Sequence, residues 1–182
     1  MKKLLPAVVL VLLVPTITLG QDKDNPYKNA KVGDYATYKM STFGQETTMK
    51  QTVKAKDDNE ITVETTISFF GKEKTQSQKI DLTKPFDVNT LMQGGKGKGM
   101  GKFEKTGDGK EKIKVGDKTY DCTWTAGKMN LEAGGAKISS ETKSWVSKTA
   151  PLSGLVKMES KMEIGGMEIT MTMELSESGN SK

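Results

Sequence analysis

Met158, Met162, Met167, Met171 and Met173 crowd the end of the chain. Clustered thioethers are soft ligands suited to Cu(I), and flexible methionine also builds apolar surfaces that adapt to a ligand. Here, however, the methionines alternate with Lys157, Glu159, Lys161 and Glu163, as residues packed inside a strand would. Periplasmic Cu(I) binding therefore stands third among the readings, and no metal ligand set or cofactor is assigned.

A second chemical lead is the stretch GGKGKGMGKFEKTGDGK at 94–110. A phosphate-binding P-loop needs Gly five residues ahead of a Gly-Lys pair and Ser or Thr after it. For Gly101-Lys102 those places hold Lys96 and Phe103. With many Gly and Lys and little to bury, residues 93–110 read as a mobile loop. Between Lys96 and Lys118 the Lys outnumber the acids, which leaves room for weak contact with anionic lipid or polysaccharide.

The rest of the composition narrows the chemistry. There is no His, so the commonest metal ligand and the side chain that titrates near neutrality are missing. Every one of the 28 basic residues is Lys. Without the planar Arg fork, nucleotide and nucleic-acid recognition lose their usual tool. No nucleophile can pair with a His base, and Glu159, Glu163, Glu168 and Glu174 read as solvated neighbours of Lys157 and Lys161. We expect no catalytic residue, no enzyme and no nucleic-acid partner. Cys122 is the sole cysteine, so no internal disulfide can form and the thiol reads as a small buried hydrophobe.

These residues need elements to hold them. Lys2 and Lys3, the apolar residues 4–14, and a polar end with Thr18 and Gly20 form a three-part signal peptide over 1–20. The apolar run is too short to span a membrane. Cleavage before Gln21 leaves no Cys for lipidation, so the expected product is exported to the periplasm or beyond, soluble and without stable membrane insertion. Losing Lys2 and Lys3 lowers the net charge from +5 to +3, 26 Lys against 23 acids. Residues 21–29 read as a flexible linker, 30–177 as one domain, and 178–182 as a disordered tail.

Period-two alternation dominates that domain, and no helical stripe lasts three turns. Around Gly165-Gly166, a two-residue turn pairs Ile164 with Met167, Met162 with Ile169, Met158 with Met173 and Val156 with Leu175, all on one face. A loop at 57–59 places Met49, Val53, Val63 and Ile67 together. A turn at Gly71-Lys72 sets Val63 against Ile80 and Ile61 against Leu82. Gly116-Asp117 sets Ile113 against Tyr120 and puts Cys122 and Trp124 on their face. With strands at 34–41 and 138–147, short helical turns near 86–92 and in 127–136 complete the reading. The fold class is mainly β, with about nine antiparallel strands in a meander. With no long amphipathic helix to cover the apolar face, the sheet must curl into a half-barrel or barrel-like form, or fold into a sandwich.

The segments VGDYATYKM, GDKTYDCTW, KSWVSKTAPLSGLVKMES and MELSESG resemble a group of uncharacterised exported bacterial β-rich proteins. Their many-stranded form is similar to the outer-membrane lipoprotein carrier superfamily, whose curved half-barrels hold acyl chains. That resemblance implies a half-barrel and a hydrophobic or lipid-like ligand. The expected ligand-binding face carries Val156, Met158, Met162, Ile169, Met171, Met173 and Trp124. The alternative is a structural or envelope-interaction module whose interior is fully packed.

Overall fold

The computed structural model describes residues 25–69, 71–86, 103–133, 136–164 and 166–181. The expected signal peptide lies outside them. Nine strands follow in chain order: β1 (Asp34–Thr42), β2 (Gln45–Lys56), β3 (Glu60–Phe69), β4 (Lys72–Asp81), β5 (Phe103–Val115), β6 (Lys118–Ala133), β7 (Ala136–Val146), β8 (Leu155–Ile164) and β9 (Met167–Asn180). They form one antiparallel sheet in the order β4-β3-β2-β1-β9-β8-β7-β6-β5. The first and last strands thus pair at its middle, and β4 and β5 are its open edges. This is the expected antiparallel sheet, curved as a half-barrel.

Curvature has local causes. The register shifts at Thr37/Tyr38 between β1 and β9, at Val53/Ala55 between β2 and β3, at Lys105/Gly107 between β5 and β6, and at Trp145/Val146 between β7 and β8. An extra residue in one strand of a pair bends that strand and increases its twist. At the first of these, the Ser176 hydroxyl donates to the Thr37 carbonyl at 3.0 Å, satisfying backbone that the ladder has released.

Several expected pairings hold. Ile164 faces Met167, Met162 faces Ile169, and Met158 faces Met173; Met49 faces Ile67 and Val53 faces Val63; Ile113 faces Tyr120. The β3–β4 register differs by two residues, with Ile61 opposite Ile80 and Val63 opposite Gln78. The turn therefore comes one residue earlier than Gly71-Lys72. A two-residue slip keeps every side chain on its face, so alternation alone could not detect it.

Other boundaries move outward. Residues 103–110, read as loop, form the first half of β5, and 127–133, read as irregular, continue β6. Ladder hydrogen bonds to a long neighbour override the weak strand preference of Gly and Lys there. The remainder of that loop and nearly all of the turn expected near 86–92 lie outside the described residues. The tail is strand as far as Asn180, because Asp34 pairs with Asn180 and Ser181 N donates to the Gly33 carbonyl at 3.0 Å.

Residues 25–29, the described part of the expected flexible linker, are ordered by hydrogen bonds. Asn25 caps a 3-10 turn, Pro26–Asn29, by accepting from Tyr27 N at 3.1 Å, and Pro26 presets its first dihedral. The Asn25 amide donates to the carbonyls of Asp81 and Lys84. Tyr27 is fully buried, its ring centroid 5.1 Å from that of Phe86. This turn helps to close the half-barrel at the end where β1 begins.

Candidate functional site

Register defines the inner face. Across β3, β2, β1, β9 and β8 it carries Val63, Val53, Tyr38, Met40, Met173 and Met158 among others, and β7 and β6 add Ser144, Thr142, Ser140, Thr125 and Gly127. Through their middle and tip-ward parts these seven strands place no charge on that face; at the capped end Lys56 of β2 stands opposite Ile61 and Asp34 of β1 opposite Asn180. The edges add more, with Lys74 of β4 opposite Ile67 and Asp108 of β5 opposite Thr125.

Burial on β1, β2, β3 and β8 falls towards the hairpin tips, whereas Met129, Ile138, Ser140 and Ile169 stay buried at that end. Ala36, Val156 and Met158 have no exposure, and Tyr38, Val53, Met171, Met173 and Leu175 have 1%. Towards the end where β1 turns into β2 and β8 into β9, Thr42, Thr47, Thr65, Ile67 and Met162 become half-exposed. The half-barrel is therefore filled at its capped end and opens on those four strands towards the hairpin tips.

The structure brings together six of the seven expected residues, Val156, Met158, Met162, Ile169, Met171 and Met173. Met158 and Met173 of that set continue to Met40, which was not among the expected residues, in a row across three neighbouring strands. Trp124 is not with them. It sits opposite Trp145, while its neighbour Thr125 sits opposite Ser144 on the inner face. The reason lies in β6, which buries Tyr120 and Cys122 in its first part and Thr125 and Met129 in its second. Ladder pairing with β7 begins only at Thr123, so the β5–β6 hairpin runs past it. Beyond that point Tyr120 and Cys122 join the core cluster from the other side of the strand.

Five hydroxyls on the inner face carry no expectation from the sequence reading: Thr125, Ser140, Thr142, Ser144 and Ser160, all buried. They form one block, with Thr125 opposite Ser144 and Thr142 opposite Ser160. The last two share a hydrogen bond at 3.2 Å. Their signal was present in SETKS at 140–144, where small hydroxyls at even positions alternate with Glu141 and Lys143. Burying hydroxyls costs free energy unless they find partners, so this block of the inner wall is built to offer hydrogen bonds.

The capped end holds three buried tyrosines. Tyr38 donates to the Leu155 carbonyl at 3.4 Å, and burial pushes its phenol up to about 12. Burial also raises Tyr27, with a further push from Tyr38 and a small opposing pull from Ser153. The Tyr27 hydroxyl is the one fully occluded side-chain polar atom without a hydrogen bond among the described residues. Burial likewise raises the Cys122 thiol, as its inward placement implies.

Trp124 and Trp145, on the side of β6 and β7 away from Thr125 and Ser144 yet packed with the core cluster, hold the Lys143 ammonium between them, 4.4 and 4.5 Å from their ring centroids. A depression of about 600 Å³ at the β1–β2 tip, lined by Lys39, Gln45, Glu46, Thr47, Thr48 and Ser68 among others, holds none of the expected residues. Among the described residues, no three His, Cys, Asp or Glu side chains group as a metal site, and no helix is long and apolar enough to cross a membrane.

No family model and no curated protein matches the chain. Among solved structures, it is similar to one described as "a putative lipoprotein from Parabacteroides distasonis", with a TM-score of 0.54 at 12% identity, over 87% of this chain and 100% of that one. The likeness is one of fold, and nothing in the comparisons ties the chain to the outer-membrane lipoprotein carriers.

Proposed function

We propose that this is an exported, non-enzymatic half-barrel that takes an uncharged amphiphile along its inner face. The alkyl part would lie on the methionine and aliphatic wall of β9, β1 and β2. An ester, amide or hydroxyl group would meet the hydroxyl block of β6, β7 and β8. The observation that carries this reading is an inner face whose charges stand only at its edges and capped end, with the hydroxyl block of β6, β7 and β8 beside the methionine row of β8, β9 and β1. Export is supported by the N-terminal pattern of two Lys, an apolar run and small residues. The likeness to a structure described as a lipoprotein agrees with it.

The test is native mass spectrometry of the purified protein, together with titration by a fluorescent monoacylglycerol. Met162→Lys puts a charge at the half-exposed part of the face, where the chain can still fold, and should abolish binding. No co-purified lipid and no titration by the wild type would sink the proposal.

A second reading has its own observation. The near-complete burial of Val156, Met158, Met171 and Met173 is what a packed interaction module would show. It expects no bound amphiphile, and a protein or polysaccharide recovered by pull-down from envelope extracts.

A further inference from the structure

The two edges of the sheet are built differently. β5 is bent by the register shift at Lys105/Gly107 and interrupted by Gly107 and Gly109, features that spoil an edge as a template for another strand. β4 has none of them. Its ladder with β3 runs without a shift from Glu60 opposite Asp81 to Phe69 opposite Lys72, and KEKTQSQKID contains neither Gly nor Pro. Residues 72–77 and Lys79 are exposed, and beyond β4 the sheet has no further strand among the described residues. A long regular edge of this kind offers its backbone to a partner strand.

The backbone of β4 also dictates which residues such a partner meets. Leu82 N donates to the Asn59 carbonyl at 2.7 Å, one step past the pair Glu60 and Asp81. Bonding alternates along an antiparallel strand, so the even-numbered residues of β4 bond β3. Glu73, Thr75, Ser77, Lys79 and Asp81 therefore aim their N–H and C=O groups outward. Take a second copy as the antiparallel partner, with Gln76 opposite Gln76 at the two-fold axis. Thr75 then pairs with Ser77 and Glu73 with Lys79, each twice. A slip of two residues one way sets Glu73 against Asp81, and the other way sets it against Ser77. Charged side chains on an edge repel unmatched strands; here Glu73 and Lys79 match a second β4 in this register.

We propose that two copies join edge to edge through β4, antiparallel about Gln76, as a two-fold dimer. Directly opposed residues point to the same face, so both inner faces lie on one side of a continuous sheet. Each Lys79, already 2.7 Å from Glu60 of its own chain, gains Glu73 of the other copy. Ten residues of strand bury less than a standard interface, and the dimer dissociates on dilution. This inference stands whether or not the inner face holds a ligand.

The experiment is sedimentation velocity of the chain beginning at Gln21 over a concentration series, beside circular dichroism to confirm folding. Ser77→Pro removes an outward N–H that β3 does not use, so the strand can keep its ladder, and dimerisation should be lost. Glu73→Lys and Lys79→Glu should each weaken the dimer about tenfold or more, because each turns two attractive pairs into repulsive ones. An equimolar mixture of these two variants restores both pairs and should dimerise like the wild type. Three results would overturn the proposal: a wild type that stays monomeric up to about 1 mM, a folded Ser77→Pro protein that still dimerises, or a mixture that associates no better than its components. If Ser77→Pro does not fold, the mixture alone decides.

Discussion

Trp145 of β7 donates its indole N–H to Glu111 Oε2 of β5 at 2.7 Å, reaching across the whole width of β6. Beneath this bond lies Trp124, with Lys143 held against both rings and its ammonium 3.9 Å from the same Glu111 oxygen. Because β5 is an edge strand, this bond ties the edge to the third strand in. Trp145 is 4% exposed, so removing its acceptor strands a buried donor. Glu111→Ala should cost about 1–3 kcal/mol, read as a lower urea midpoint with unchanged slope. Lys112→Ala, beside it but paired only loosely with exposed Asp121, should cost far less.

Gly109 sits opposite Trp124, and a Cβ there would lie 2.7 Å from the indole nitrogen and 2.8 Å from Cε2. The ring is rigid and wedged beside Lys143, so it must move as a unit. Gly109→Ala should destabilise by about 1–3 kcal/mol, as overpacking does, and shift the tryptophan emission. Gly116→Ala offers a contrast: nothing lies within 4 Å of its would-be Cβ, and the strain comes solely from a φ of 57°. It should lower stability and leave the emission unchanged.

The pairing of these strands was legible from alternation and Gly turns, because a buried face forces period two. What alternation cannot report is which side of a strand is buried once its partner ends. That is why Trp124 was expected beside Met158 and lies beside Trp145 instead. Residues 103–110 hid for a related reason. Gly107 and Gly109 make a strand look like a loop until Trp124 is seen to need the missing side chain of Gly109. The hydroxyl block was overlooked because Ser and Thr carry no hydropathy signal of burial.

Tyr38 predicts an alkaline weakness. Its folded phenol is pushed up to about 12 by burial, from an ordinary value of 10.0, so the native state holds its proton after the unfolded chain has released it. The stabilisation is complete below pH 10 and is lost as pH rises from 10 to about 12. Tyr27, raised by the same cause, adds to the fall. Tyr27→Phe removes a hydroxyl that has no partner, and should be neutral or stabilising at pH 7 while making the alkaline decline shallower. A loss of about 2 kcal/mol or more at pH 7 would show that the hydroxyl is bonded after all.

Cys122 should behave as core. It is 3% exposed, donates weakly to the Tyr120 carbonyl at 3.6 Å, and has its thiol raised by burial. Thiolate, the reactive form, is scarce under those conditions. An aromatic disulfide reagent at pH 8 should label native protein only as fast as the β5–β6 hairpin opens, and label urea-unfolded protein at once. Equal rates in the two states would mean that the hairpin end lies open to solvent.

The methionine row decides between packing and copper. Met40, Met173 and Met158 face one another in sequence across β1, β9 and β8, each 3% exposed or less. If their role is to fill space, Met173→Leu, close in volume, should cost under about 1.5 kcal/mol, and Met173→Ala about 2–5 kcal/mol. A thioether ligand obeys a different rule: leucine would be as damaging as alanine, because both lack sulfur. Titration of Cu(I) under reducing conditions, followed by the methionine methyl resonances of wild type and Met173→Leu, separates the two. We expect no stoichiometric shift in either protein. A shift present in the wild type and lost in Met173→Leu would instead make this row a metal site.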